Sequence, residues 1–142
     1  MIRAATLQDV PAIADLFYES MPSPWTRADI EGALRLPTMV VWVWTEAGCI
    51  QGALLLQRCM DEAEILSIAT APKLRRRGIG RALLTYALTE IGRETSVFLE
   101  VRSQNLSAIA FYKALGFREI GMRKKYYRDP PDDALVMKFG NF

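Results

Sequence analysis

The apolar residues of the chain recur with two periods, which predict helices and strands in alternating blocks. Helical spacing follows Thr6 and Thr26, and each threonine is followed three residues later by an aspartate, as in a capping box. Helical patterns also cover residues 81–91 and 105–115. Runs rich in branched and aromatic residues predict strands at 2–5, 39–45, 50–58, 62–70, 96–101, 117–127 and 134–139.

This order of elements predicts one α/β (α+β) domain over residues 1–142. The Glu46-Ala47-Gly48 turn and an Asp-Pro-Pro-Asp-Asp turn at 129–133 indicate hairpins, and Gly116 is typical of a helix end. A hydrophobic fraction of 51% is enough for a core. We therefore expect a single mixed, mostly antiparallel central sheet of about six to seven strands, flanked by about four helices.

The composition of the chain excludes several classes of site and partner. The net charge of +2 gives no general attraction to nucleic acid. The absence of histidine excludes His-based catalysis and His-metal sites, and we expect no metal. Cys49 and Cys59 are expected to be reduced, half-buried thiols on one strand, neither placed to carry an acetyl group. No secretory signal and no apolar run of ~20 residues is present, so we expect a cytoplasmic protein without a membrane partner.

A basic glycine loop, Arg75-Arg76-Arg77-Gly78-Ile79-Gly80, joins a predicted strand to a predicted helix. The first N–H groups of a helix lack internal partners and carry partial positive charge. Glycines let a phosphate approach the backbone, and the arginines add attraction. The loop therefore suits a diphosphate, but its spacing is equally compatible with a tight turn beneath a solvated basic patch.

Three motifs in order resemble the GNAT family of N-acetyltransferases. The segment 67–72 resembles the family strand that lies along the pantetheine arm, and Arg75-x-x-Gly78-x-Gly80 resembles its pyrophosphate loop. Leu99-Glu100-Val101-Arg102, Asn105 and the segment 108–117, with Phe-Tyr-x-x-Leu-Gly-Phe, resemble its next strand and helix. Within the family, the chain is most similar to the RimI-type ribosomal-protein alanine N-acetyltransferases.

The resemblance implies the GNAT fold and direct transfer of acetyl from acetyl-CoA to the N-terminal α-amine of a protein, with ribosomal proteins among the implied acceptors. Lysine side chains or small amines are the alternative acceptors, and a non-catalytic acyl-CoA-binding module is a third hypothesis. The implied CoA-binding residues are Ile68, Ala69, Thr70, Arg75, Arg76, Arg77, Gly78, Ile79, Gly80, Arg81 and Asn105. Asn105 could equally be a simple helix cap.

Glu100 is the candidate general base, because it is the only charged residue within the apolar run 97–101. The structural alternative is a salt bridge, with Arg102 as the expected partner on the same strand face. Glu62 and Glu64, on the preceding strand, are rival bases.

Tyr112 is the candidate general acid toward the departing thiolate, with core packing as its alternative. Neighbouring helical residues point about 100° apart, so we expect Phe111 to be buried and Tyr112 to face the cleft. The resemblance assigns the acceptor to Pro24, Trp25, Glu64, Tyr126 and Tyr127. Ordinary packing is the alternative for Trp25 and for the two tyrosines.

Overall fold

The computed structural model describes residues 1–22, 24–128 and 130–140. Within these ranges it contains seven strands and four α-helices, which agree with the predicted order. The strands are β1 (Ile2–Ala4), β2 (Met39–Glu46), β3 (Cys49–Cys59), β4 (Glu62–Thr70), β5 (Ser96–Arg102), β6 (Arg118–Arg128) and β7 (Pro131–Phe139). The helices are α1 (Val10–Ser20), α2 (Arg27–Arg35), α3 (Ile79–Ile91) and α4 (Leu106–Ala114).

All seven strands form one sheet in the order β1-β2-β3-β4-β5-β7-β6. Only β4 and β5 are parallel, and α3 supplies the crossover that a parallel pair requires. Every other neighbouring pair is antiparallel. The predicted fold class, a mixed and mostly antiparallel sheet flanked by four helices, is confirmed.

Apolar side chains pack in two cores on opposite faces of the sheet. One core joins α1 and α2 to β2, β3 and Ala69 of β4. The other joins α3 and α4 to the sheet and includes Val97, Leu99 and Val101 of β5. Because β5 has helices on one face only, its alternate residues Phe98, Glu100 and Arg102 are left for the opposite, open face.

The parallel pair β4–β5 is short, and its two strands then separate. Residues 62–64 pair with 96–98, and the pairing ends there. In β4 the next residues form a bulge, because Leu56 faces Ile65 while Leu55 faces Ser67, which leaves Leu66 as the extra residue. A bulge bends a strand and increases its twist. The far half of β4 therefore opens a gap in the sheet.

The start of α3 is held close to the sheet at Gly52 of β3. A Cβ atom at Gly52 would stand 2.7 Å from Cγ2 of Ile79 and 3.0 Å from Cδ1 of Leu83. Gly78 precedes the helix with φ +83°, a left-handed conformation that glycine adopts without steric cost. Both glycines thus place the glycine loop beside the gap.

Two local expectations were wrong. Cys49 and Cys59 are exposed rather than half-buried, because they stand at the two ends of β3, beyond the helices that cover its centre. Strand β7 begins at Pro131 rather than at residue 134, since a proline is tolerated as the first residue of a strand. Of the predicted turn at 129–133, Asp129 lies outside the described residues, as does Ser23 of the predicted break after α1.

The described ranges contain no group of three or more Cys, Asp or Glu residues placed to hold a metal ion. They also contain no helix that is long and apolar enough to cross a membrane.

The close approach at Gly52 predicts that Gly52→Ala destabilises the fold. Overpacking against Ile79 and Leu83 should lower the free energy of unfolding by about 1–3 kcal/mol. Gly32 of α2 is the matched control, because a Cβ there meets nothing within 4 Å. Gly32→Ala should raise the unfolding free energy by about 0.5–1 kcal/mol through helix propensity. Urea unfolding measures the unfolding free energy of both variants, and equal changes would contradict the close contact at Gly52.

Candidate active site

A groove of about 780 Å³ runs from the bulged half of β4 to the first turns of α3 and α4. It contains Tyr112 and every predicted CoA-binding residue except Arg77. Its lining residues are Ser20, Ile68, Ala69, Thr70, Leu74, Arg75, Arg76, Gly78, Ile79, Gly80, Arg81, Asn105, Ser107, Ala108, Phe111, Tyr112 and Ala114. We call this the donor groove.

The glycine loop shapes one end of the donor groove. Its first intrahelical hydrogen bond runs from Ala82 N–H to the Gly78 carbonyl, so the three preceding N–H groups have no helical acceptor. At Gly80 a Cβ would stand 3.6 Å from Thr70 Oγ1 and 3.8 Å from the Phe111 ring. The fold would tolerate that atom, but it would fill the groove. The loop therefore presents free donors beside an open space.

The three consecutive arginines of the loop have different surroundings. Arg75 Nη2 donates to the Ser20 carbonyl at 3.4 Å, and Ser20 Oγ donates to the Thr70 carbonyl at 3.3 Å, which ties the end of α1 to the loop and to β4. Arg77 pairs with Glu46 at 3.6 Å and does not line the groove. Arg76 lines the groove and has φ +69°. The basic character of the groove thus depends on Arg75, Arg76 and Arg81.

Asn105 caps α4 while it lines the groove. Its Oδ1 accepts hydrogen bonds from the Ala108 N–H and from Ser107 Oγ, both at 3.2 Å. These bonds use the carbonyl oxygen of the amide. The cap therefore leaves the side-chain NH2 group as a donor, and the two roles predicted as alternatives are compatible.

Tyr112 packs between two aromatic rings, with centroid distances of 5.3 Å to Phe111 and 5.7 Å to Phe117. Burial, assisted by the nearby Tyr127 phenol, raises the pKa of Tyr112 to about 12. The expectation that Phe111 is buried while Tyr112 faces the cleft was wrong in part. Both are half-buried and both line the groove, since Ile109 and Phe117 fill the core positions around α4.

Glu100 lies on the other face of the sheet, in a cleft of about 290 Å³ that shares no lining residue with the donor groove. We call this the carboxylate cleft. Its lining residues are Gln57, Cys59, Glu62, Ala63, Glu64, Phe98, Leu99, Glu100, Arg123 and Val136. It brings the predicted base and both rival carboxylates together. It also places Cys59 among them, which the sequence interpretation did not foresee.

The Glu100 side chain is 15% exposed and its two oxygens differ. Oε1 pairs with Nε of Arg123 at 3.0 Å, whereas Oε2 is buried without a hydrogen-bond partner in the described part of the chain. The expected salt bridge to Arg102 does not form. Arg102 instead donates to the Pro130 carbonyl at 2.6 Å and stacks 4.2 Å from the ring centroid of Tyr127.

Glu64 shares the carboxylate cleft with Glu100. Burial and, to a smaller extent, the charge of Glu100 raise the pKa of Glu64, and the positive charge of Arg123 partly opposes them. Two carboxylates and one guanidinium therefore face the same small volume. This arrangement favours binding of one further cation.

The predicted acceptor residues fall in separate places. Pro24 and Trp25 line a third cavity, of about 730 Å³, beside α2, and Gln57 borders both this cavity and the carboxylate cleft. Tyr126 and Tyr127 stack edge-on at 5.1 Å and line none of the three cavities.

A bulge in β6 sets the position of the tyrosine pair. The register with β7 shifts between Arg123 and Tyr127, and Lys125 within that segment has φ +53°. Its N–H donates to Asp133 Oδ1 at 2.8 Å, which holds the bulge closed.

Sequence reasoning missed Arg123, Gln57, Ser20 and Phe111 as site residues. Because β7 separates β5 from β6 in the sheet, nothing in the local sequence connects Arg123 with Glu100. Contacts of this kind depend on strand order.

The raised pKa of the Tyr112 phenol predicts a loss of stability at alkaline pH. The folded state keeps the proton up to a pKa of about 12, whereas an unfolded tyrosine loses it near ~10. Between these values the folded state binds more protons, so the free energy of unfolding falls as the pH rises. The unfolding free energy of Tyr112→Phe, measured with urea, should fall less steeply with pH than that of wild type above about pH 10. Parallel pH curves would contradict burial of this phenol.

Comparison with known proteins supports the fold and shows the family. The model of the Acetyltransferase (GNAT) family matches residues 10–117. The chain is 34% identical over 136 residues to the [ribosomal protein bS18]-alanine N-acetyltransferase of Escherichia coli K12, covering 91% of this chain and 89% of that protein.

Two solved structures have the same architecture. The ribosomal-protein-S18-alanine N-acetyltransferase from Escherichia coli superposes with a TM-score of 0.91 at 30% identity, over 98% of this chain and 92% of that one. Ard1 from Thermoplasma volcanium superposes with a TM-score of 0.87 at 31% identity, over 97% and 95% of the two chains. The chain therefore belongs to the GNAT family of acetyltransferases.

Proposed function

We propose that this N-acetyltransferase transfers acetyl from acetyl-CoA to the N-terminal α-amine of a protein, with a ribosomal protein as the acceptor class, in a direct ternary-complex reaction. One observation carries the proposal. A carboxylate with a buried oxygen that has no partner among the described residues stands at the separation of β4 and β5, and a groove with phosphate-binding character opens on the other face. The donor and the amine can thus approach the same gap from opposite sides.

The donor groove fits acetyl-CoA. The free N–H groups at the start of α3, together with Arg76 and Arg81, would hold the pyrophosphate, and the open space at Gly80 gives it room. The NH2 group of Asn105 would bind the pantetheine side. After Glu64, strand β4 is no longer paired with β5. The backbone groups on this edge of β4 are therefore available to the pantetheine arm and to the thioester oxygen.

Glu100 would remove the proton that the attacking amine must lose. An α-amine has a pKa of ~8, against ~10.4 for lysine, so it is more often neutral at physiological pH. As the N–C bond forms, the thioester carbon becomes tetrahedral and its oxygen gains charge that backbone N–H groups can stabilise. The proton passes to Oε2 of Glu100, which has no competing donor among the described residues.

Tyr112 would assist departure of the thiolate when the C–S bond breaks. With its pKa raised to about 12, the phenol keeps its proton throughout the neutral range. Complete transfer to a thiolate, whose conjugate acid has a pKa of ~8.5, is uphill. Tyr112 therefore acts first as a hydrogen-bond donor that stabilises the developing negative charge on sulfur.

The acceptor assignment is supported by the relatives and by the cleft. The Escherichia coli relative is named for alanine of ribosomal protein bS18. The carboxylate cleft carries an excess of negative charge that suits an α-ammonium group before it loses its proton. We place the reaction in the cytoplasm, where the two exposed thiols would remain reduced.

An acceptor panel tests the assignment. Mass spectrometry should show acetylation of peptides that copy ribosomal-protein N-termini and no acetylation of the same peptides with a blocked α-amine. Polyamines and internal lysines serve as the competing acceptors. Acetylation of the blocked peptides at rates equal to the free ones would contradict an N-terminal specificity.

Glu100→Gln should lower kcat by about 10²–10⁴-fold, the usual contribution of a general base. Glu62→Gln is the matched control, because Glu62 lines the same cleft but is exposed, and its kcat should stay near wild type. Glu64→Gln tests Glu64 directly as the rival base. A larger loss for Glu64→Gln than for Glu100→Gln would move the base to β4.

Direct transfer predicts intersecting lines when the initial rate is measured against both substrates. The position of Cys59 in the carboxylate cleft makes an acetylated thiol the rival mechanism. Cys59→Ala should retain wild-type kcat. Parallel lines together with an inactive Cys59→Ala variant would establish the covalent route instead.

A further inference from the structure

Glu100 has two carboxylate oxygens in unlike surroundings, and the difference originates from Arg123. Oε1 receives Nε of Arg123 at 3.0 Å, and Oε2 is buried without a hydrogen-bond partner among the described residues. A buried acceptor without a donor is costly to the folded state. Such an atom at the base of a cleft is available to a donor that arrives from outside.

Arg123 reaches Glu100 across a third strand. Glu100 faces Val136 of β7, and Val136 faces Gly121 of β6, so these three residues form one row across the sheet. Arg123 lies two residues further along β6, opposite Ala134, and its side chain turns back toward Glu100. Gly121 brings no side chain, and Val136 is too short to block the path. These small residues therefore leave space for the Arg123 side chain to reach Glu100.

The pair is asymmetric in exposure. The Arg123 side chain is 60% exposed while that of Glu100 is 15% exposed. An exposed arginine contributes little to stability through such a pair, because solvent screens it. The geometric effect on the buried partner is larger, since no other hydrogen bond from the described residues holds the carboxylate plane of Glu100.

We propose that Arg123 is the positioning residue of the base: it holds Glu100 through Oε1, so that Oε2 is oriented to receive the proton of the acceptor amine. The inference rests on the proposed function, because it assigns that proton to Glu100. Arg123 itself does not touch the acceptor amine. It acts on the reaction through Glu100 alone.

The charges around the pair are consistent with this role. Glu64 on β4 adds a second carboxylate to the cleft, and the phenol of Tyr127 on β6 lies near enough to Glu100 to be influenced by its charge. Arg102 is engaged with Tyr127 and with the Pro130 carbonyl. Arg123 is therefore the cation that contacts Glu100, and the ring of Tyr126, 5.6 Å from its guanidinium carbon, supports it from the side.

The test compares Arg123→Ala with Arg128→Ala, an exposed arginine on the same strand. Wild type is assayed first with the acceptor panel, and the acceptor it uses is kept for all variants. Arg123→Ala should lower kcat by about 10–100-fold and leave the acceptor KM within about threefold. Arg128→Ala should match wild type. Circular dichroism melting curves identify any variant that fails to fold.

Two further measurements separate positioning from a general structural role. In a Glu100→Gln background, Arg123→Ala should change kcat by less than about twofold, because the residue through which it acts is already disabled. Arg123→Lys should recover part of the lost kcat, and millimolar methylguanidinium should rescue Arg123→Ala but not Glu100→Gln. An additive double variant would overturn the inference.

The remaining outcomes are equally decisive. An Arg123→Ala enzyme as active as Arg128→Ala, or more active than wild type because the guanidinium had blocked the cleft, would overturn the inference. If wild type acetylates only lysines, the acceptor proposal fails, yet the comparison of Arg123 variants on lysine still decides the role of Arg123. The two failures are therefore distinguishable.

Discussion

The separation of β4 from β5 is the constraint on which the rest of the site depends. Parallel pairing ends at residues 64 and 98, and the extra residue Leu66 bends β4 away immediately afterwards. A continuous sheet would use the backbone groups of both strands in its ladder and would separate its two faces completely. The gap instead leaves part of β4 unpaired with β5. The donor groove and the carboxylate cleft open on its opposite sides.

The position of the charged groups follows from the uneven cover of the sheet. Helices cover both faces of β2 and β3, and their inward residues are apolar on each side. On β5 and β7 they cover one face only, and none of residues 118–128 in the edge strand β6 is buried, so Glu100, Arg102 and Arg123 lie outside the two cores. The partly enclosed carboxylate of Glu100 has one oxygen paired with Arg123 and one without a partner in the part of the chain that the structure describes. Its chemistry depends on this incomplete enclosure.

Much of the architecture could be predicted because it is encoded locally. The capping box at Thr26–Asp29 and the left-handed glycine at Gly78 place helix starts, and period-two apolar runs place strands. The donor residues were predictable for the same reason, since the strand, loop and helix that carry them are nearly contiguous. The orientations of Arg75 and Arg77 were not, because each guanidinium is directed by a partner far along the chain, Ser20 or Glu46. Phe111 and Tyr112 share the groove because of how α4 packs, which its periodicity alone could not show.

The sequence by itself determined the class of fold, the family and most of the residues that line the donor groove, because these depend on short-range pattern and on motifs in a set order. Tertiary structure alone decided the partner of Glu100, the exposure of the two cysteines and the separation of Pro24 and Trp25 from Tyr126 and Tyr127. The physical reason is the strand order β5-β7-β6, which brings Arg123 across β7 to a carboxylate 23 residues earlier in the chain. Such a contact depends on sheet register and on the small side chains in between, and neither is visible from the residues next to Glu100 or Arg123.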